Sequence, residues 1–364
     1  MKRRDFIKTV GATGAVGATA LATPALSQGI REINMVTAWP EKFPGLGTSA
    51  ARLGERITRM SGGALKVNVH GRGKFVSSAD LLKAVSNGKA AMYHGIEYYW
   101  QQHSRAFNFF ASVPFGLTAS EQQAWINFGG GQELWDDLGR SFGVKPFMVG
   151  NTGMQMGGWF NKQVDTMGDM QGLKVRMPGF GGVVLEKIGA RRVSLPIGKI
   201  FPAMRAGDLD ATEWFGPWLD MNFGLHKIAR FYYYPGFHEP GTTLSSAINL
   251  KLWDSLSKEH QEIIKTAASA ETGEVLAEFN AKNIDALDTL RRKHDLNLRR
   301  FSDELMNAIG SASGEVVQEV AAADELTGKI FRSFLNFRTK SITWSKVSDQ
   351  AYWNSRLLPF SYAR

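Results

Sequence analysis

The feature that most restricts the fold is a repeated alternation of short strand-like runs with amphipathic helices. Ile33 to Thr37 reads as a strand and Gly47 to Met60 as an amphipathic helix closed by Ser61-Gly62-Gly63. In the next run, Ala64 to His70, Leu65, Val67 and Val69 alternate with polar neighbours, as in a half-buried strand. A helix from Ala79 to Ser86 stops at Asn87-Gly88, and Ala90 to His94 is the following strand. This β-α-β-α-β order builds an open α/β sheet, because each crossover helix must cover a face of the sheet.

A second set of strands begins near Val144. Pro146 to Val149, Met154 to Phe160, Leu173 to Arg176, Arg192 to Leu195 and Leu209 to Glu213 read as short strands. Helices from about Gly182 to Ile188, Ile200 to Ala206 and Trp218 to His226 separate them. Tyr232 to Tyr234 and Thr242 to Asn249 read as strands leading back to the first set. Beyond Trp253 the pattern is helical: Ser257 to His294, Asp303 to Phe337, and a last helix near Trp344 to Arg356. The 364 residues suffice for two cores. Expected are an α/β unit over 28–150 plus about 243–300, a second over 151–242 plus part of 301–342, and a C-terminal helix over about 343–364. Two units joined by crossings of extended chain form a clamshell with a cleft between its domains and long C-terminal helices. Such hinges close on a ligand between the lobes.

The first residues read as an export leader. Lys2-Arg3-Arg4-Asp5-Phe6-Ile7-Lys8 is a twin-arginine segment, Val10 to Leu26 is apolar and small, and Ala25-Leu26-Ser27 suits cleavage. Residues 1–27 are therefore expected to be a signal peptide, with a periplasmic chain beginning near Gln28. The absence of cysteine removes disulfides, thiolate metal sites and cysteine nucleophiles. The formal charge of +9 falls to +6 without the leader's four cations and one anion. The remainder is scattered, without the basic, aromatic-interleaved stripe that nucleic-acid binding requires.

Three runs carry the chemistry. Gly172-Leu173-Lys174-Val175-Arg176-Met177-Pro178-Gly179 ends a strand on an arginine, and Ala206-Gly207-Asp208-Leu209-Asp210-Ala211-Thr212-Glu213-Trp214 ends another on Glu-Trp. The third is Tyr232-Tyr233-Tyr234-Pro235-Gly236-Phe237-His238-Glu239-Pro240-Gly241. In this order they resemble the solute-binding subunits of TRAP (tripartite ATP-independent periplasmic) transporters, close to the branch that binds 2-oxo acids and related carboxylates. The resemblance implies periplasmic capture of a small organic carboxylate, closure, and handover to membrane permease subunits.

Arg176 stands at a strand end before a Gly-rich turn into a helix. A guanidinium there grips a carboxylate through two parallel hydrogen bonds, and the helix N-terminus adds positive potential. The resemblance implies that Arg176 holds the ligand carboxylate. It also implies that Gln155, Glu213, the Trp214 backbone carbonyl and Glu239 bind a metal ion. Carboxylates beside an anionic ligand make electrostatic sense only with a cation among them. Two glutamates, one ligand carboxylate and one arginine leave two negative charges, which favours Ca²⁺, while the resemblance favours Na⁺ as much; both ions stand open. Tyr98-Tyr99-Trp100 and Trp214-Phe215-Gly216-Pro217-Trp218 supply aromatic walls. Tyr98, Tyr99 and Asn151 are candidate hydrogen-bond donors to the ligand. The expected ligand is a small monocarboxylate, a 2-oxo acid such as pyruvate or a 2-hydroxy acid such as lactate, with a larger aromatic or sugar acid as the alternative.

The apolar face from Glu315 to Phe337, continued by Trp344, Tyr352, Trp353, Leu357, Leu358 and Phe360, either packs on its own chain or exchanges between copies to make a homodimer. An enzyme is the rival class. The seven histidines lack metal-ligand spacing, no Gly-x-Ser-x-Gly elbow occurs, and Gly179-Phe180-Gly181-Gly182 lacks the third glycine of a dinucleotide fingerprint. A receptor, not an enzyme, is the expectation.

Overall fold

The computed structural model describes residues 29–195 and 197–362, so the expected leader and its cleavage site lie outside the described residues. The strands are β1 (Arg31–Thr37), β2 (Leu65–His70), β3 (Met92–Gly95), β4 (Val144–Asn151), β5 (Gly158–Phe160) and β6 (Lys174–Arg176). β7 (Arg191–Arg192), β8 (Ala211–Thr212), β9 (Phe231–Tyr234), β10 (Thr243–Asn249) and β11 (Asn297–Arg300) follow. Among the described residues they form two sheets, β2-β1-β3-β10-β4 and β11-β9-β5-β8-β6-β7.

The first sheet follows from the opening alternation. β1 pairs in parallel with β2 and β3, with the helix Gly47–Met60 as the crossover between β1 and β2. That helix buries Ala50, Leu53 and Ile57, one stripe at helical spacing. Gly54 lets it approach the sheet: a Cβ there would lie 2.9 Å from Val69 Cγ2. β10 returns from the second sheet and runs antiparallel to both β3 and β4. β4 is thus the edge of the first sheet, as the expected unit over 28–150 has it. Its nearly continuous burial reflects the helix Lys258–Lys293 lying over it, where Thr272 Oγ1 donates to the Met148 carbonyl at 3.0 Å.

The second sheet is made of shorter strands than expected. β5 keeps only Gly158–Phe160 of the expected run from Met154, because the backbone there turns to carry Gln155 inward. Leu209 to Glu213 reduces to β8, and of Arg192 to Leu195 only Arg192 is strand, paired with Arg191 in β7. β11 was not legible at all. Its largely exposed Asn-Leu-Arg-Arg run gives no alternation, and it is held by parallel pairing with β9.

The helix Lys258–Lys293 joins the two halves. Ser257 caps it by accepting from His260 N at 3.2 Å. It packs on β4 and on the helix Gly47–Met60, where Arg52 and Arg56 pair with buried Glu271 at 2.9 and 3.4 Å. Further along, Asn283 Oδ1 accepts from Trp218 N at 3.0 Å at the start of the helix Pro217–Phe223.

The expected helix from Asp303 to Phe337 is two, Asp303–Ala321 and Glu325–Val347, followed by Asp349–Ser355. Asp324 makes the break by capping the second, accepting from Thr327 N at 2.8 Å. Phe334 packs edge-on against Phe109 and Trp125. Beyond this segment Trp344, Val347, Tyr352, Leu357, Leu358 and Phe360 are exposed. Among the described residues no helix is long and apolar enough to cross a membrane.

Candidate functional site

β6 ends at Arg176, whose register partner on β8 is Thr212, so the chain leaving β8 passes directly beside it. Glu213 N donates to the Arg176 carbonyl at 2.9 Å, and Arg176 Nη1 donates to the Glu213 carbonyl at 2.7 Å. The guanidinium also lies over the Trp214 ring, 5.5 Å from its centroid. Its side chain stays 16% exposed, which leaves donors open to the cleft.

Two hollows meet at Arg176. One, of about 230 Å³, is lined by Tyr98, Tyr99, Gln102, Arg192 and Ser194 among others. The other, of about 820 Å³, has Trp39, Phe43, Leu46, Leu195 and Trp214 as its apolar wall and Arg72 and Lys199 as further cations. Strand ends from both sheets therefore face one crevice, the usual place for ligands in α/β folds. Trp39 is fixed there by His94: its indole N–H donates to His94 Nδ1 at 2.9 Å.

Behind Arg176 lies a buried acidic cluster. Ligand atoms of Glu213, His238 and Glu239 lie within 4.8 Å of one another. Glu213 is 1% exposed, and neither of its carboxylate oxygens has a hydrogen-bond partner. His238 Nε2 stands 3.4 Å from Glu213 Oε1 without hydrogen-bond geometry. Thr242 Oγ1 donates to Glu239 and accepts from Gln155 Nε2 at 3.0 Å; Thr152 Oγ1 accepts from the same nitrogen at 3.0 Å. These bonds hold both Gln155 amide protons and leave its buried Oε1 without a partner.

A buried carboxylate without a partner is disfavoured in its charged form. Burial pushes Glu213 up to about 8, opposed only by Arg176. Burial and then the Glu213 charge push Glu239 up to about 7. Burial lowers His238 to about 4, so its ring is neutral. Carboxylate and amide oxygens are donors that a hard cation takes. The orphaned oxygens of Glu213 and Gln155 therefore fit a bound Na⁺ or Ca²⁺, and both residues lie behind the lining of the two hollows.

The other expected residues fall as follows. Burial raises both Tyr98 and Tyr99, which keeps the phenols neutral and able to donate. Asn151 is fully buried; its Oδ1 accepts from Gly153 N at 2.9 Å, and its Nδ2 has no partner. Asn151 is not among the residues lining either hollow. His238 was missed as a site residue, although it stands beside Glu239 in the quoted run. Trp39 was missed too, and an aromatic just past the C-terminal end of β1 was the signal for it.

Residues 35–324 match the model of bacterial extracellular solute-binding protein, family 7. The chain belongs to this family. It is a solute-binding subunit of the TRAP kind, and its relatives agree. A monocarboxylate 2-oxoacid-binding periplasmic protein of Nostoc sp. (strain PCC 7120) is 36% identical over 360 residues, covering 97% of this chain and 98% of that one. A TRAP periplasmic solute-binding protein from Pseudoalteromonas atlantica T6c, solved with sodium and pyruvate, is 36% identical with a TM-score of 0.86. It covers 90% of this chain and 99% of its own. One from Colwellia psychrerythraea, solved with calcium and pyruvate, is 35% identical with a TM-score of 0.86, covering 90% and 100%. The two-domain α/β receptor fold is thereby shown for this chain.

Proposed function

We propose that this receptor captures a small 2-oxo acid of the pyruvate class together with a bound cation and delivers it to TRAP permease subunits. The observation that carries the reading is the pair of buried carboxylates of Glu213 and Glu239 beside Arg176, with both Glu213 oxygens unpartnered. Arg176 grips the ligand carboxylate. Glu213, Glu239, Gln155 Oε1 and the Trp214 carbonyl hold the cation. A 2-oxo acid supplies two adjacent oxygens, one from its carboxylate and one from its carbonyl, that complete the shell. Tyr98, Tyr99 and Asn151 offer neutral donors, and Trp214 closes the apolar side. Binding at micromolar level needs about 8 kcal/mol. Charge-assisted hydrogen bonds of about 1.5–3 kcal/mol each and a shared cation reach that without covalent chemistry.

In this reading each sheet centres one lobe, with the division 28–150 and 243–300 against 151–242 corrected at 297–300, where β11 joins the second sheet, and the lobes shut on the ligand. The protein releases the acid unchanged. Export by the twin-arginine pathway is supported by Arg3-Arg4 and the small apolar run after them. The exposed aromatic and aliphatic residues beyond Ile342 support a homodimer in which the tail packs on a second copy.

Isothermal calorimetry with pyruvate tests the central claim. The dialysed protein should bind pyruvate in sodium- or calcium-containing buffer and fail to bind it when both ions are withheld. Equal affinity in the absence of both would sink the cation-linked reading.

A further inference from the structure

Asp220 takes no part in the cluster described above, yet it is buried and surrounded by donors. Its Oδ1 accepts from the backbone N–H of Phe215 at 3.1 Å. Its Oδ2 accepts from the Trp159 indole N–H at 3.0 Å and from the Tyr232 hydroxyl at 2.8 Å. Trp159 and Tyr232 are register partners across β5 and β9 and stack with centroids 4.0 Å apart. Trp159 is also the register partner of Thr212 on β8. One side chain therefore ties the stretch just after Glu213 to two adjacent strands of the second sheet, β5 and β9.

The supports on either side leave one group unheld. Glu213 is pinned through its N–H to the Arg176 carbonyl and through its own carbonyl to Arg176 Nη1 and Thr212 Oγ1, and the Phe215 carbonyl accepts from Met156 N at 3.1 Å. Among the described residues no hydrogen bond reaches the Trp214 carbonyl between them. The orientation of that carbonyl is set by the peptide planes on either side, and Phe215 N belongs to the plane that contains it. We propose that Asp220 is a positioning residue for the ligand site: by holding the Phe215 N–H against the second sheet, it aims the Trp214 carbonyl into the cation cage. This rests on the cage assignment made above. Asp220 itself touches neither ligand nor cation.

The chemistry demands a carboxylate at this position. The indole N–H and the backbone N–H can only donate, and they approach different oxygens. An amide has one acceptor oxygen, so it satisfies one of them and turns its own N–H₂ toward the other. The Tyr232 hydroxyl, by contrast, can accept as well as donate. Asp220→Asn is therefore mismatched at one donor, and removing the indole N–H with Trp159→Phe relieves the mismatch. The amide oxygen then serves Phe215 and its N–H₂ serves Tyr232.

The experiment is a double-mutant cycle on the whole protein, with two readouts: pyruvate affinity in calcium-containing buffer, and amide hydrogen exchange of residues 213–216 without ligand. Asp220→Asn should weaken calcium-supported pyruvate binding by about 10–100-fold, the usual effect of losing a group that orients a metal ligand, and should speed exchange at Phe215. Trp159→Phe alone should change affinity little. The pair should recover affinity and protection toward those of Trp159→Phe. A purely packing role predicts the opposite, with the double variant worse than either single one. Unchanged exchange at Phe215 in Asp220→Asn, or an unrecovered double variant, overturns the proposal. If Asp220→Asn does not fold, the comparison of the double variant with Trp159→Phe decides. Failure of the unmutated protein to bind pyruvate would refute the ligand reading, and the exchange readout would still judge Asp220.

Discussion

Arg176 Nη1 donates to the backbone carbonyl of Glu213 at 2.7 Å, while the carboxylate of the same glutamate stands 4.0 Å from that nitrogen. The guanidinium is thus fixed by main chain, and the Glu213 carboxylate remains free for a cation. In the proposed site, replacing Arg176 by Ala removes about two charge-assisted hydrogen bonds to the ligand at ~1.5–3 kcal/mol each, so pyruvate affinity should fall at least ~100-fold. Arg176→Lys keeps the charge without the planar fork and should lose affinity by a smaller factor. Calorimetry on both variants measures this. An Arg176→Ala variant that binds like the unmutated protein would remove the guanidinium from the account.

The same geometry fixes a pH dependence. Glu213 and Glu239, raised to about 8 and about 7 from an ordinary 4.5, hold protons in the ion-free folded state that the unfolded chain has released. Folded values above unfolded ones mean that the ion-free protein loses stability as pH rises from about 4.5 to about 8. Glu97 and Asp220, both raised to about 7 by burial, add a slope of the same sign. A bound cation displaces the protons of the two caging glutamates, so calcium affinity should rise between about pH 6 and 8 with release of protons. Thermal melts in chelator and sodium-free buffer should give a lower midpoint at pH 8 than at pH 5.5, and calcium should raise the midpoint more at pH 8. Calorimetry in buffers of different ionisation enthalpy counts the protons. Calcium affinity independent of pH would contradict this assignment.

Much of the framework was legible because it follows local rules. The opening alternation of strands and helices yields β1, β2 and β3 with little change, and Arg176 and Glu213 were visible as polar residues at the ends of strand-like runs. What escaped depends on distant contacts. β11 has no pattern of its own and exists through β9. Thr152 and Thr242 look like ordinary polar residues, and their grip on Gln155 appears only when chain segments 87 residues apart meet. The spacing of the seven histidines shows no ligand pattern, because what brings His238 to Glu213 is a contact between distant segments and not a local repeat.

Gly181 shows how closely the helix after Arg176 approaches that cluster. A Cβ at Gly181 would lie 2.6 Å from His238 Cβ and 2.7 Å from Met177 Sδ. The first of these is the root of a fully buried side chain and cannot swing away. Gly181→Ala should therefore cost about 1–3 kcal/mol in stability through overpacking. By displacing His238 it should also weaken calcium-supported pyruvate binding. Gly273→Ala is the control, since nothing lies within 4 Å of its Cβ position on the exposed face of the helix Lys258–Lys293. That change should stabilise the protein by about 0.4–1 kcal/mol and leave binding unaltered. Chemical denaturation together with calorimetry separates the two variants, and equal behaviour would show that the close approach has no effect on the site.

The C-terminal tail makes a last prediction. Phe334 is buried on its own chain, and Phe337 packs so closely on Gly129 that a Cβ there would lie 2.7 Å from its ring, whereas Trp344 and Leu357 are 68% and 81% exposed. The helix Glu325–Val347 thus passes from a face occupied by its own chain to one with no such cover. Burying a large apolar side chain yields about 1.5–3 kcal/mol, so the several residues from Trp344 to Phe360 suffice for the ~8 kcal/mol of a micromolar dimer after association costs. A chain ended after Ser341 keeps Phe334 and Phe337 in place and loses only the exposed segment. It should sediment as a monomer while the full chain should sediment as a dimer, with pyruvate affinity unchanged because Arg176, Glu213 and Glu239 lie in other elements. A full chain that stays monomeric at tens of micromolar would sink the dimer. A truncated dimer would place the interface elsewhere.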